Sequence, residues 1–249
     1  MKLFSVVNLS EESPQADAVV TSADEAVLKV KQLFALGADF IDIGGRSSYS
    51  KSLMIDDITE QRRLYPFFEL TKQQAIRQLS LDTWSIQTAL MYMDHIDVLN
   101  YTSTEFPQSL LTALAHSKVK IIINYLSASN PYTLRTTPCQ DFNIDLVVAY
   151  FEKTIKLLNK NGVGILAIDP NLGMWHPLVP NAQKAVIQKQ IIDHIPLLKT
   201  LAPVFIVAPR TAGSLNSELT QQIISKGADF IRTHDLVQLQ RLIENGFNR

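Results

Sequence analysis

Short, dense runs of apolar residues alternate along the whole chain with longer stretches in which apolar residues return every three or four positions. The short runs, at 3–9, 39–45, 78–82, 97–102, 119–125, 165–169, 204–208 and 229–234, are rich in Ile, Val, Leu and Phe and predict strands. Several are apolar at odd and even positions alike. A strand needs that only when both of its faces are covered, as in a parallel sheet. The longer stretches, at 23–36, 55–72, 86–93, 107–115, 144–159, 182–194, 215–225 and 236–244, predict helices. Local chemistry supports several boundaries. Ser22 with Glu25 reads as a capping box opening the first helix. Gly37, Gly162 and Gly227 stand where a left-handed residue ends a helix. Pro107 fits a first helical position.

The order is strictly strand then helix, eight times over. With 249 residues, each unit takes about 31, the size of one βα unit. The expectation is an α/β fold: one (β/α)8 TIM barrel spanning residues 1–249. An open doubly wound sheet shares the alternation, but no glycine-rich fingerprint follows the first strand. Gly37-Ala38-Asp39-Phe40-Ile41 returns as Gly227-Ala228-Asp229-Phe230-Ile231, each time at a helix-to-strand junction. The longest irregular stretches, 9–22, 45–54 and 127–143, are then loops on the face of the barrel that carries chemistry.

Composition narrows the function classes. Hydrophobic residues make up 46% of the chain and the net charge is −1, which argues against global disorder. The same near-zero balance argues against a nucleic acid or an anionic membrane as partner. A single cysteine, Cys139, excludes an intramolecular disulfide and a cysteine-based zinc site and fits a reducing compartment. No apolar window reaches the length of a membrane span, and the apolar run at the N-terminus is too short for a signal peptide. The expected setting is the cytoplasm.

In a barrel the catalytic face is the carboxyl end of the strands. Reading only those positions gives a polar set: Asn8, then 44–48, then Asp82, Asn100, Asn124, Asp169, Arg210 and finally Arg232 with His234. Taken singly, each is as ordinary as a helix cap or an ion-pair partner; Asp82 could cap the helix that begins near Ser85, and Asp235 the last helix. Taken together they describe a site. Carboxylates and amides suit an uncharged heterocycle with several N–H donors and C=O acceptors. Two arginines and a histidine suit a phosphate or pyrophosphate. The five histidines show no two-histidine helical spacing, and no nucleophile elbow or phosphate loop is present. Trp84, Trp175 and Met174 read as packing residues, with Met174 placed to flank a flat ligand.

These strand ends resemble, in order and over nearly the whole chain, those of the dihydropteroate synthase family. Phe4-Ser5-Val6-Val7-Asn8 is similar to that family's first strand, and 37–48 resembles its Gly-Ala-Asp-x-Ile-Asp-Ile-Gly-Gly-Glu-Ser-Thr stretch. Leu79-Ser80-Leu81-Asp82-Thr83, Val98-Leu99-Asn100, Asp169-Pro170-Asn171-Leu172-Gly173-Met174 and Arg232-Thr233-His234-Asp235 resemble later strand ends. The resemblance implies a transferase that joins hydroxymethyl-dihydropterin pyrophosphate to p-aminobenzoate and releases pyrophosphate. It implies that Asp82, Asn100 and Asp169 hold the pterin, with Gly173, Met174, Ser48 and Arg210 also on the substrate. It implies that Asn8, Arg232 and His234 act on the pyrophosphate, Asn8 as a ligand of Mg2+. A homodimer through the last two helices is implied as well, although their Leu219, Ile223, Leu236, Leu239 and Leu242 read as barrel-facing.

The chain also departs from the family pattern. Ser10-Glu11-Glu12-Ser13-Pro14 stands for Thr-Pro-Asp-Ser-Phe, and Tyr49 stands for a phosphate-facing Arg. Pro209-Arg210-Thr211-Ala212 stands for Ser-Arg-Lys-Ser, so Thr211 replaces a Lys. Arg46, where the family has Glu, is expected to restore one charge to the anion. Two other readings stay open: a pterin-binding homologue with part of the active site lost, and a methyltetrahydrofolate-type methyltransferase.

Overall fold

The computed structural model describes residues 1–13, 19–211 and 214–247. Its strands are β1 Lys2–Asn8, β2 Phe40–Gly44, β3 Leu79–Thr83, β4 Val98–Tyr101, β5 Lys120–Asn124, β6 Ile165–Asp169, β7 Phe205–Val207, a short hairpin of β8 Arg210–Thr211 and β9 Ser214–Leu215, and β10 Phe230–Thr233. Eight of them form one parallel sheet in the order β6-β5-β4-β3-β2-β1-β10-β7. A parallel bridge between Ile168 and Val204, with Ile168 N–H donating to Pro203 O at 2.9 Å, brings β6 back to β7 and all but closes the barrel. The (β/α)8 expectation therefore holds.

The period of two along each strand divides the side chains cleanly. Val7, Ile41, Ile43, Leu81, Leu99 and Ile123 point outward and are buried beneath the helices in the larger apolar core. On the inner face the lower positions are apolar. Phe4 stacks on Phe40 at 4.7 Å and meets Phe205 and Phe230 edge-on at 5.1 and 5.9 Å, and Val98, Ile122 and Ala167 complete this plug. Further along the same faces the residues become polar. The step comes two positions after Phe40, at Asp42, and four after Phe4, at Asn8, on the paired strands β2 and β1.

The helices between these strands are α1 Ala23–Ala35, α2 Asp57–Gln73, α3 Ile86–Tyr92, α4 Gln108–His116, the short α5 Pro131–Leu134, α6 Ile144–Lys160, α7 Asn181–Asp193, the short α8 Ile195–Leu198, α9 Ser217–Ser225 and α10 Leu236–Phe247. Gly37, Gly162 and Gly227 adopt φ of +92°, +71° and +81°, as expected of helix-ending glycines. Three local readings are corrected. The Ser22 hydroxyl accepts from Glu25 N–H, but the Glu25 carboxylate reaches Thr21 N–H, so the capping box is not reciprocal. Pro107 is the extended residue before α4, not its first helical residue. β7 stops at Val207, so Arg210 belongs to the hairpin and not to a strand end.

Asp235 caps α10 through Gln238 N–H at 2.9 Å, as expected. Ser85 caps α3 itself, which leaves Asp82 for another role. Ile223, Leu236, Leu239 and Leu242 are buried in this chain's own core, so they are spent on the barrel and not on a second copy. Among the described residues, no helix is long and apolar enough to cross a membrane.

Candidate active site

The polar inner face opens into a cavity of about 920 Å³ at the carboxyl end of the strands. Its floor is one hydrogen-bonded network drawn from different strands. Asn124 Nδ2 donates to Asn100 Oδ1 at 2.9 Å, and Asn100 Nδ2 donates to Asp42 Oδ2 at 3.0 Å. The same Asp42 oxygen is ion-paired with Arg232 Nε at 2.5 Å, and Arg232 Nη2 donates to Asp82 Oδ2 at 2.9 Å. Asp169 stands beside Asn124 in the β5–β6 register. Two carboxyls thus share one guanidinium, and Asp169 lies near enough to feel its charge. Burial pushes the Asp169 carboxyl up to about 7, against the pull of the Asn171 N–H and of Arg232. Burial also raises Asp82, which Arg232 pulls down and Asp42, Glu60 and Asp169 push further up. Arg232, flanked by these carboxyls, stays protonated.

The loop after β6 holds Asp169 in place. Asn171 takes a left-handed backbone, φ +64°, which Asn tolerates better than most residues. In that conformation its N–H donates to Asp169 Oδ1 at 2.8 Å, while its own Oδ1 accepts from Met174 N–H at 2.7 Å. Asn171 Nδ2 also donates to Met174 O at 3.1 Å, so the side chain ties the turn from both sides.

The loops around the mouth are tied to one another. Glu12 accepts from Ser47 N–H and pairs with Arg63 at 2.7 Å, joining the first and second loops. Arg135, just after α5, donates to Ser52 O at 2.9 Å and Tyr49 O at 2.7 Å, joining the second loop to the fifth. His176 Nε2 lies 2.9 Å from Thr137 O while its Nδ1 accepts from Leu178 N–H, joining the fifth loop to the sixth. That second bond makes Nε2 the protonated nitrogen.

Asn8, Asp82, Asn100, Asp169, Arg232 and His234 all line this one cavity, and so do Ser48, Gly173 and Met174. Arg46 lines it too, but its guanidinium is held by Asp57 at 3.0 Å and Glu60 at 3.1 Å and lies 4.1 Å from the Trp84 ring. Two carboxylates already match its charge, so the expectation that it serves an anion does not fit its geometry. Arg210 is not among the described residues that line the cavity. Pro14, Ala212 and the side chain of Thr211 lie outside the described residues.

Three important side chains escape a reading of strand ends. Asp42 is fully buried beneath the floor. It sits two residues before Gly44 on the same face of β2, so extending the period of two inward would have found it. Glu60, also fully buried, accepts from the Thr83 and Thr88 hydroxyls at 2.8 Å each, and only the fold brings it to Arg46. Arg135 lies in a long loop with no periodic signal.

A family model described as "Pterin binding enzyme" matches residues 4–234. Dihydropteroate synthase type-2 of Escherichia coli is 25% identical over 255 residues, covering 94% of this chain and 90% of its own length. The solved Yersinia pestis dihydropteroate synthase superposes with a TM-score of 0.81 at 18% identity, covering 99% of this chain and 93% of its own. The Anaplasma phagocytophilum dihydropteroate synthase, solved with bound 6-hydroxymethylpterin-monophosphate, superposes with a TM-score of 0.78 at 20% identity over 100% of this chain and 98% of its own.

Proposed function

The chain belongs to the pterin binding enzyme family, and from that premise we propose that it is a dihydropteroate synthase of folate biosynthesis. The reaction would join hydroxymethyl-dihydropterin pyrophosphate to p-aminobenzoate and release pyrophosphate. The observation that carries this reading is the floor: carboxyls and amides from four strands, linked in one network through Arg232 with Asp169 beside them, at the closed end of a cavity in a pterin-binding barrel. A pterin edge presents adjacent N–H donors, which an ionised carboxylate accepts in pairs. Asp169, fixed by Asn171, is that acceptor. Asn100 and Asn124 offer amides to the remaining ring groups, and Asp82 is held in place by Arg232. Met174 flanks the ring.

The amine lone pair of p-aminobenzoate forms a C–N bond at the pterin methylene as the C–O bond breaks and its electrons leave with pyrophosphate. The cavity assists by holding the two reactants in line and by placing cations near the departing oxygens. Asn8 and His234, which line the same cavity, would serve that end. Among the described residues no cluster of His, Cys, Asp or Glu could hold a metal unaided. Asn8 turns its Nδ2 to Ser13 Oγ at 3.3 Å, which leaves its carbonyl oxygen for a cation. One protein oxygen fits Mg2+, which keeps its waters and takes further ligands from substrate phosphates. Magnesium bound with the pyrophosphate would neutralise charge on the leaving group.

A second reading, a homologue that binds pterin without turning it over, is favoured by one observation: Thr211 stands where the resembling family has a Lys. Calorimetric titration of the folded chain with 6-hydroxymethylpterin tests what both readings share. Binding is expected, and weakening by about tenfold or more in Asp169→Ala. Absence of binding would overturn both.

A further inference from the structure

We infer that Arg135 receives the phosphate-bearing end of the ligand, at the rim of the cavity, an assignment that rests on the pterin pyrophosphate reading above. The charges around the cavity point to it. Among the cations that line the cavity, Arg46 is matched by Asp57 and Glu60, and Lys184 is tied to Asn181 Oδ1 at 3.3 Å. Arg232 is outnumbered by Asp42, Asp82 and Asp169 around it. Arg135 also lines the cavity, and among the described residues no carboxylate lies within ion-pair distance of it. Its partners are two backbone carbonyls, which hold the guanidinium in place without cancelling its charge. Lys51 lines the same rim. The floor is therefore negative and the rim positive. A ligand with a donor-rich ring and an anionic tail is oriented by that field, ring down and tail toward Arg135.

The guanidinium is also rigid, which suits it to bind an anion at low entropic cost. It lies 4.7 Å from the Tyr132 ring, and that ring packs edge-on against Trp84 at 4.9 Å. Tyr132 accepts from Ile55 N–H at 3.0 Å, and Asn130 caps α5 through the Tyr132 and Thr133 N–H groups. Two of the five N–H donors of the guanidinium hold Tyr49 O and Ser52 O. Through them the charge is delivered to the loop where Tyr49 stands in place of an arginine. The cation missing from position 49 is supplied from another loop.

The test compares two ligands in two variants. Arg135→Gln keeps a donor without the charge; Arg135→Lys keeps the charge. By calorimetry, Arg135→Gln is expected to bind 6-hydroxymethylpterin pyrophosphate about tenfold or more weakly and the phosphate-free 6-hydroxymethylpterin within about twofold of the parent, with Arg135→Lys recovering most of the loss. Equal loss of both ligands would show that Arg135 only ties the loops together and would overturn the assignment, as would no loss of either. Should the parent chain bind neither pterin, the function reading fails by itself, and inorganic pyrophosphate decides the assignment. Tenfold weaker pyrophosphate binding in Arg135→Gln keeps it; unchanged binding overturns it.

Discussion

Carboxyls buried at the floor of the cavity ionise at a cost, and Asp169 carries the consequence. Its carboxyl sits at about 7 against an ordinary 3.8, raised first by burial. An ionised Asp169 is what a pair of ring N–H groups needs, so pterin binding must displace a proton below pH 7. Affinity is expected to fall by up to about tenfold per pH unit as pH drops below 7, and Asp169→Asn should remove the part of that slope due to Asp169 along with most of the affinity, leaving the part due to Asp82, which burial also pushes up to about 7. A raised carboxyl pKa also means the folded state holds the extra proton. The contribution of this group to stability is therefore greatest below pH 4 and is lost as pH rises to 7. Melting temperatures of Asp169→Asn against the parent across that window check the sign. Arg232→Met leaves the carboxyls facing one another. It should cost about 3–5 kcal/mol at pH 8 and clearly less at pH 5, where protonation relieves the repulsion; urea unfolding at both values measures the difference. Most of these residues were legible in the sequence because they end apolar runs. Asp42 was not, because it lies one inward step before the end of β2. The partners of Arg46, Asp57 and Glu60, were not legible either, because they are on the following helix and nothing in the local sequence announces them.

The second loop and α2 show how an element places these side chains. A Cβ on Gly45 would come within 2.9 Å of Glu60 Cγ and of Leu64 Cγ, both on α2. The glycine is required by that close approach, which seats buried Glu60 against Arg46. Gly45→Ala should destabilise the chain by about 1–3 kcal/mol, with the loss read from denaturant midpoints. At the other end of the strands, Phe4→Ala removes the centre of the aromatic plug and should cost about 3–5 kcal/mol. A much smaller loss by the same measurement would mean that Phe40, Phe205 and Phe230 collapse into the space. Strands and helices were readable because burial on two faces and burial on one stripe leave different periods. Strands β8 and β9 and helix α5 were not, since elements of two to four residues are too short to carry a period.

For the whole molecule, the near-zero net charge conceals a separation: apolar plug, negative floor, positive rim, stacked along the barrel axis. That arrangement depends on strand register, because a slip of one residue would turn Asp42, Asn100 and Asp169 outward against the helices. The (β/α)8 architecture was legible from eight alternations together with the lack of a glycine-rich fingerprint after the first strand. The charge separation was not, since it arises from which cations find carboxylates across loops distant in sequence, as Arg63 finds Glu12 and Arg135 finds none among the described residues. On the proposed function, this cavity turns a pterin pyrophosphate over. The most direct test measures pyrophosphate release from hydroxymethyl-dihydropterin pyrophosphate with magnesium, with and without p-aminobenzoate. The account predicts release that depends on p-aminobenzoate and is lost in Asp169→Ala. A folded chain that binds the pterin and releases no pyrophosphate would contradict it and leave a pterin-binding protein without synthase activity.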